Sequence, residues 1–137
     1  MGLPQKRILK DFQDNAYPDL LKKLQSAAGF EVPVEVKWDT MMSDKYEKKE
    51  QYFEWYNKVY FQSLTETFSN LTKDDMGREA LKGGLKKVIL ESSPEHSTFR
   101  GTTFKDGILH VKHSFHTNVD NVRERVEAWT KLLEKSL

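Results

Sequence analysis

The chain contains no cysteine. Disulfide staples, thiolate nucleophiles and cysteine-based zinc or iron–sulfur sites are therefore excluded. No stretch approaches the roughly 20 apolar residues of a membrane span. The opening segment, MGLPQKRILKDF, lacks the apolar core and small-residue cleavage site of a signal peptide. Gly2 suggests N-myristoylation, but Lys6 stands where that motif has Ser or Thr. A cytoplasmic protein with no membrane partner is expected. An excess of one charge is missing too. Lys and Arg total 22 against 21 Asp and Glu, a formal charge of +1. A nonspecific nucleic-acid binder needs a strong basic footprint, so nucleic acid is not an expected partner. The seven glycines form no phosphate cradle, because GREALKGGLKK has neither GxxxxGK[ST] order nor GxGxxG after a strand. Internal repeats, low-complexity tracts and linkers are also lacking.

What remains is ample for one core. Eight Phe, five Tyr and three Trp in 137 residues suit a single domain over 1–137.

Ile8, Phe12, Ala16, Leu20, Leu24 and Ala27 recur every three or four residues and predict a helix. Pro18 either kinks it or divides it. FEVPVEVKW, residues 30–38, alternates strictly and predicts a strand with one buried face. Pro33 cannot donate to a ladder and argues for an edge. Residues 51–70 predict a long helix striped by Phe53, Tyr56, Tyr60, Leu64 and Phe68. A second helix, capped at Thr72 or Asp74, runs to Gly83 and Gly84. LKKVILES, residues 85–92, reads as a strand.

TFRGTTFKDGILHVKHSF reads as a hairpin with two available registers. With Asp106–Gly107 as a two-residue type I′ turn, Phe104 faces Leu109. With Lys105–Gly107 as a three-residue loop, Phe104 faces Ile108 and Phe99 pairs with His113. The second register gathers Phe99, Leu109, Val111, His113 and Phe115 on one side, and is preferred on burial. A final amphipathic helix over about 118–136, capped by Thr117 or Asn118, carries Val122, Val126, Trp129 and Leu133. The order is α, β, α, α, β, β, β, α. The expected fold class is α+β, a mostly antiparallel sheet of about four strands with helices packed on one face.

HVKHSFH, residues 110–116, holds three of the four histidines. Strand alternation splits them, with His110 and His116 on one face and His113 on the other. His110 and His116 would lie about 20 Å apart, too far for one zinc ion. No metal or cofactor is expected. His113, on the inner face, is the candidate for a pocket between the sheet and the aromatic helix, lined also by Tyr56, Tyr60 and Trp38. The run YEKKEQYFEWYNKVYF covers more than one helical face, which makes Tyr52, Trp55 and Val59 candidates for an interface.

These readings converge on a noncatalytic protein acting by protein–protein binding or self-association, through the aromatic helix or an edge strand. The alternative is a small-molecule-binding domain, or a small enzyme, built around His113. No catalytic residues are assigned.

Overall fold

The computed structural model describes residues 1–137. Four helices and four strands follow in the expected order. Helix α1 spans 3–28, α2 spans 49–71, α3 is Asp75–Gly84 and α4 is Val122–Ser136. The strands are β1 (Val34–Val36), β2 (Lys87–Glu91), β3 (Thr102–Lys105) and β4 (Ile108–Lys112). No helix is long and apolar enough to cross a membrane.

Pro18 does not divide α1. The five residues Phe12–Ala16 form a π-turn, in which the Tyr17 N–H reaches back to the Phe12 carbonyl. A proline ring collides with the carbonyl four residues earlier and supplies no N–H. Widening the preceding turn accommodates both effects inside one rod. Helix α2 carries a matching π-turn over Asn57–Gln62. Thr72 then ties the ends of the two rods together, its hydroxyl donating to the Ala27 and Phe68 carbonyls at 2.9 Å each. Asp74 caps α3, accepting from the Gly77 N–H at 2.8 Å. The cap of α4 is displaced from the expected Thr117 or Asn118 to Asn121, whose side chain makes no capping bond. Asn118 instead adopts a left-handed φ of 52°.

The sheet corrects the expected topology. Its order is β1-β2-β4-β3, with β1, β2 and β4 parallel and only β3 antiparallel. It is a mixed, mostly parallel sheet. The antiparallel expectation assumed that consecutive strands are neighbours. Here the helical crossover between β1 and β2 permits parallel pairing, and β4 inserts between β2 and β3. Strand composition accounts for the placement. KVILE and ILHVK are the more apolar strands and take the centre, whereas TTFK takes an edge.

The hairpin register is also corrected. Phe104 pairs with Leu109 and Lys105 with Ile108. Asp106 and Gly107, at φ 54° and 80°, form the two-residue type I′ turn, whose twist matches that of the strands. The three-residue register rested on pairing Phe99 with His113. Phe99 lies instead in a 3₁₀ turn, Phe99–Gly101, and packs against the core without joining the ladder. The strand β1 is likewise shorter than its alternation suggests, because Lys37 leads directly into a 3₁₀ turn at Trp38–Thr40.

Val88, Leu90, Leu109 and Val111 face the helices and are fully buried against Phe12, Leu24, Tyr60, Leu64 and Phe68. Each such side chain contributes about 1.5–3 kcal/mol by leaving water. The opposite face of the sheet is charged and half-exposed. There Glu35 accepts Lys37 and Lys87, both at 2.5 Å, and Glu91 holds His110 at 3.0 Å.

Gly101 lets two segments approach closely. A Cβ there would lie 2.3 Å from the Lys112 carbonyl oxygen and 2.8 Å from the His96 ring. Gly101→Ala is therefore expected to destabilise the fold by about 2–3 kcal/mol. At Gly83, on the exposed side of α3, a Cβ meets nothing within 4 Å. Gly83→Ala is expected to gain up to about 1 kcal/mol. Urea unfolding of the two variants beside the parent chain checks the contrast.

Candidate functional site

The predicted pocket residues are dispersed. Tyr56 and Tyr60 are core side chains, each donating its hydroxyl to a carbonyl, Tyr56 to Met41 and Tyr60 to His113. Trp38 is half-buried and packs edge-on against Tyr17, with ring centroids 5.1 Å apart. The space between α2 and the sheet is thus filled by these rings and their neighbours. Only Tyr60 and His113 meet, and they meet through the backbone. The predicted interface residues are placed similarly. Tyr52 and Val59 are fully buried and Trp55 is half-buried, so they present no open aromatic patch. Trp55 and Tyr46 pack instead against the His116 ring, at 5.9 and 5.1 Å.

His113 sits just past the end of β4, fully buried. Its Nδ1 lies 2.7 Å from the Ser114 carbonyl. A carbonyl only accepts, so Nδ1 carries the proton and Nε2 presents a lone pair. Burial pushes the imidazole down to about 4, with the Ser114 carbonyl opposing and Arg125 and His96 adding to the shift. The ring is neutral at pH 7, and its Nε2 has no hydrogen-bond partner.

Arg125, on α4, is the residue that the sequence reading missed. It is buried without a carboxylate partner. Its Nε donates to the Ser63 hydroxyl at 3.2 Å, Nη1 to the Asn118 carbonyl at 2.7 Å, and Nη2 to the Val119 carbonyl at 2.6 Å and the Lys58 carbonyl at 3.3 Å. Burial lowers it to about 10, so it stays charged. The guanidinium joins α4, the loop after β4 and the π-turn of α2. Nothing in the charged repeat of α4 distinguishes it from Arg123, which is exposed and pairs with Glu127 at 3.3 Å.

Between α4 and the β3 side of the sheet runs a seam of two adjoining hollows, and a third lies beyond it among α3, the hairpin turn and the end of α4. The first, about 10 Å³, lies among Ser97–Phe99, the start of α4 and His113. This is room for a single water. The second, about 510 Å³, lies between Phe99, Arg100 and Thr102 on one side and α4 on the other. Along α4 it follows Glu124, Glu127, Ala128, Lys131, Leu132 and Lys135, which share one helical face. The third, about 450 Å³, reaches from Phe104–Gly107 to Ser136 and Leu137.

Three buried side-chain polar atoms in the protein lack a partner: Thr102 Oγ1, His113 Nε2 and Trp129 Nε1. All three residues line this seam. Burying such a group unpaired costs roughly 1–3 kcal/mol. Their chemistry differs. The indole N–H only donates, the neutral imidazole nitrogen only accepts and the hydroxyl does either. Trp129 looked like an ordinary core position in sequence and Thr102 was not singled out, because strand and helix periodicity report burial and not whether a polar tip is satisfied.

The other Ser–His contacts are local. Ser93 and His96 are 2.8 Å apart within one turn, and Ser114 and His116 are 2.9 Å apart two residues from each other. Neither pair carries the third, orienting group of a nucleophilic triad.

His113 is neutral in the fold and takes up a proton near 6.5 when exposed, so protonation favours unfolding. Its contribution is complete above about pH 6.5 and is lost as pH falls toward 4, a change on the order of 3 kcal/mol. His113→Asn, which keeps a donor for the Ser114 carbonyl but does not titrate, is expected to flatten the fall in stability between pH 6.5 and 4. Urea midpoints across that range check it.

No family model, curated protein or solved structure matches the chain.

Proposed function

We propose that this protein is a noncatalytic, cytoplasmic binding domain that takes its ligand in the seam between α4 and β3. The observation that carries this reading is the groove of about 510 Å³ between Phe99–Thr102 and α4, in whose wall the unpaired polar atoms of Thr102 and Trp129 are buried. Buried polar groups are ordinarily paired. A wall with two unsatisfied polar atoms is incompletely packed, which supports a partner that seats against it. The groove's size falls within the range of small-ligand sites. Phe99, Ala128 and Leu132 supply apolar contact, and Arg100, Lys131 and Lys135 supply charge at the rim.

Binding accounts for these features better than catalysis. The His113 Nε2 lone pair has no hydroxyl within hydrogen-bonding distance to activate. Arg125 spends its donors on protein oxygens and fixes geometry. The groove offers shape, apolar contact and charge at its rim.

The indole N–H resonances of Trp38, Trp55 and Trp129 give a direct test, with 8-anilinonaphthalene-1-sulfonate as an apolar anionic probe. Titration is expected to move the Trp129 indole signal and leave the other two in place. Leu132→Arg, which fills the groove, is expected to weaken probe binding at least about tenfold, or ~1.4 kcal/mol. Perturbation confined to Trp38 or Trp55 would count against the seam.

A further inference from the structure

We propose that the occupant of the seam is a short extended peptide that adds as a fifth strand to the outer edge of β3, its carboxyl end toward Lys131 and Lys135. The proposal rests on the reading of the seam as the binding site and names the class of partner.

The first argument is the backbone. Gly107 accepts from the Lys86 and Lys87 N–H groups, and the His113 N–H donates to the Glu91 carbonyl. Residues 107 and 113 of the hairpin's second arm thus turn their main-chain groups toward β2. By alternation Leu109 and Val111 do the same, while Ile108 and His110 turn toward β3. Their partners are Lys105 and Thr103. The N–H and carbonyl of Phe104, and the carbonyl of Thr102, are left on the outer edge. The Thr102 N–H is taken by the Phe99 carbonyl. Thr102 walls the second hollow, and Phe104 and Lys105 wall the third, so the strand that carries the unpaired edge also borders the seam.

The second argument is the difference between the two sheet edges. β1 is only three residues long and follows Pro33. Short strands and prolines guard edges against pairing. β3 has four residues, TTFK, and no proline. It is the less guarded edge, and α4 forms a shelf beside it.

The third argument is chemical. A peptide group presents a donor and an acceptor together. The same combination matches the N–H and carbonyl that Phe104 leaves on the outer edge of β3. Strand addition draws affinity from main-chain bonds and specificity from alternate side chains. Ala128 and Leu132 offer an apolar floor for the latter.

Charge sets the direction. α4 and β3 run the same way along the seam. Glu124 and Glu127 stand at its start, partly offset by Arg100, and Lys131 and Lys135 stand farther along. A peptide parallel to β3 places its carboxylate beside the lysines.

The test passes a degenerate mixture of hexapeptides with free carboxyl termini over the immobilised full chain. Retained sequences are resynthesised with a fluorescent label for polarisation measurements. Backbone N-methylation at alternate residues is expected to raise Kd at least about tenfold for the face that joins the ladder. Amidating the carboxyl terminus, or making Lys131→Glu with Lys135→Glu, is expected to weaken binding several-fold. Equal binding of N-methylated and parent peptides would overturn strand addition, and indifference to amidation would overturn the direction. Retention of no peptide, while anilinonaphthalene sulfonate still moves the Trp129 indole, would overturn the peptide and leave the seam standing as a small-molecule site. Failure of both probes would remove both readings. A dimer by light scattering, with the Phe104 amide protected from exchange before peptide is added, would assign the edge to a second copy and overturn the proposal.

Discussion

β4 hydrogen-bonds on both sides, in parallel to β2 and antiparallel to β3, and buries Leu109 and Val111 completely beneath the helices. Its insertion between two strands that precede it sends β3 to the edge. It also carries the chain after Lys112 into the interior, where His113 comes to rest beneath the loop that leads to α4. The seam is a consequence. An edge strand lies on one side, the last helix on the other, and the end of the central strand forms the floor of the upper hollow. A meander of β2, β3 and β4 would have closed that edge and put His113 elsewhere.

Arg125 holds the upper end of this arrangement. A charge taken out of water is costly unless its donors are met. Here two carbonyls from the loop before α4, with a carbonyl and a hydroxyl from α2, meet them. The Lys58 carbonyl, in the π-turn of α2, accepts both the Ser63 hydroxyl at 2.6 Å and the guanidinium. π-turns free main-chain oxygens from the regular ladder, and this one serves as a socket. Beside it Lys58 binds Asp120 at 2.9 Å, a second and exposed link between the same elements. Exposed pairs contribute little on their own, so the buried guanidinium is the principal tie.

Much of the fold could be read from the residues. Periodicity located α1, α2 and α4, because Phe12, Tyr60, Leu64, Phe68, Trp129 and Leu133 recur with the helical repeat and are buried, and the cap and glycine stop located α3, whose Met76 is exposed. Alternation located the strands and put Leu109 and Val111 inward. The site was less legible. His113 was singled out correctly as an inward histidine at the margin of the core, yet its expected neighbours Tyr56 and Trp38 belong to the aromatic core. Tyr52 read as excess aromatic surface because a helical wheel does not show that the loop 38–48 folds over it. That loop gives Tyr52 two carbonyl acceptors, from Ser43 and Tyr46 at 2.7 and 2.8 Å.

The sequence by itself determined the element order and most of the buried faces, and it narrowed the hairpin to two registers without choosing the right one. Each depends on residues close together in the chain, through side-chain period, capping or tolerance of positive φ. The tertiary structure decided which strands are neighbours, which arginine is buried and which polar tips find partners. Those depend on segments far apart in sequence meeting in space. Lys58 and Arg125, or Thr102 and Trp129, carry no local mark of one another, and their encounter follows from β4 taking the centre of the sheet.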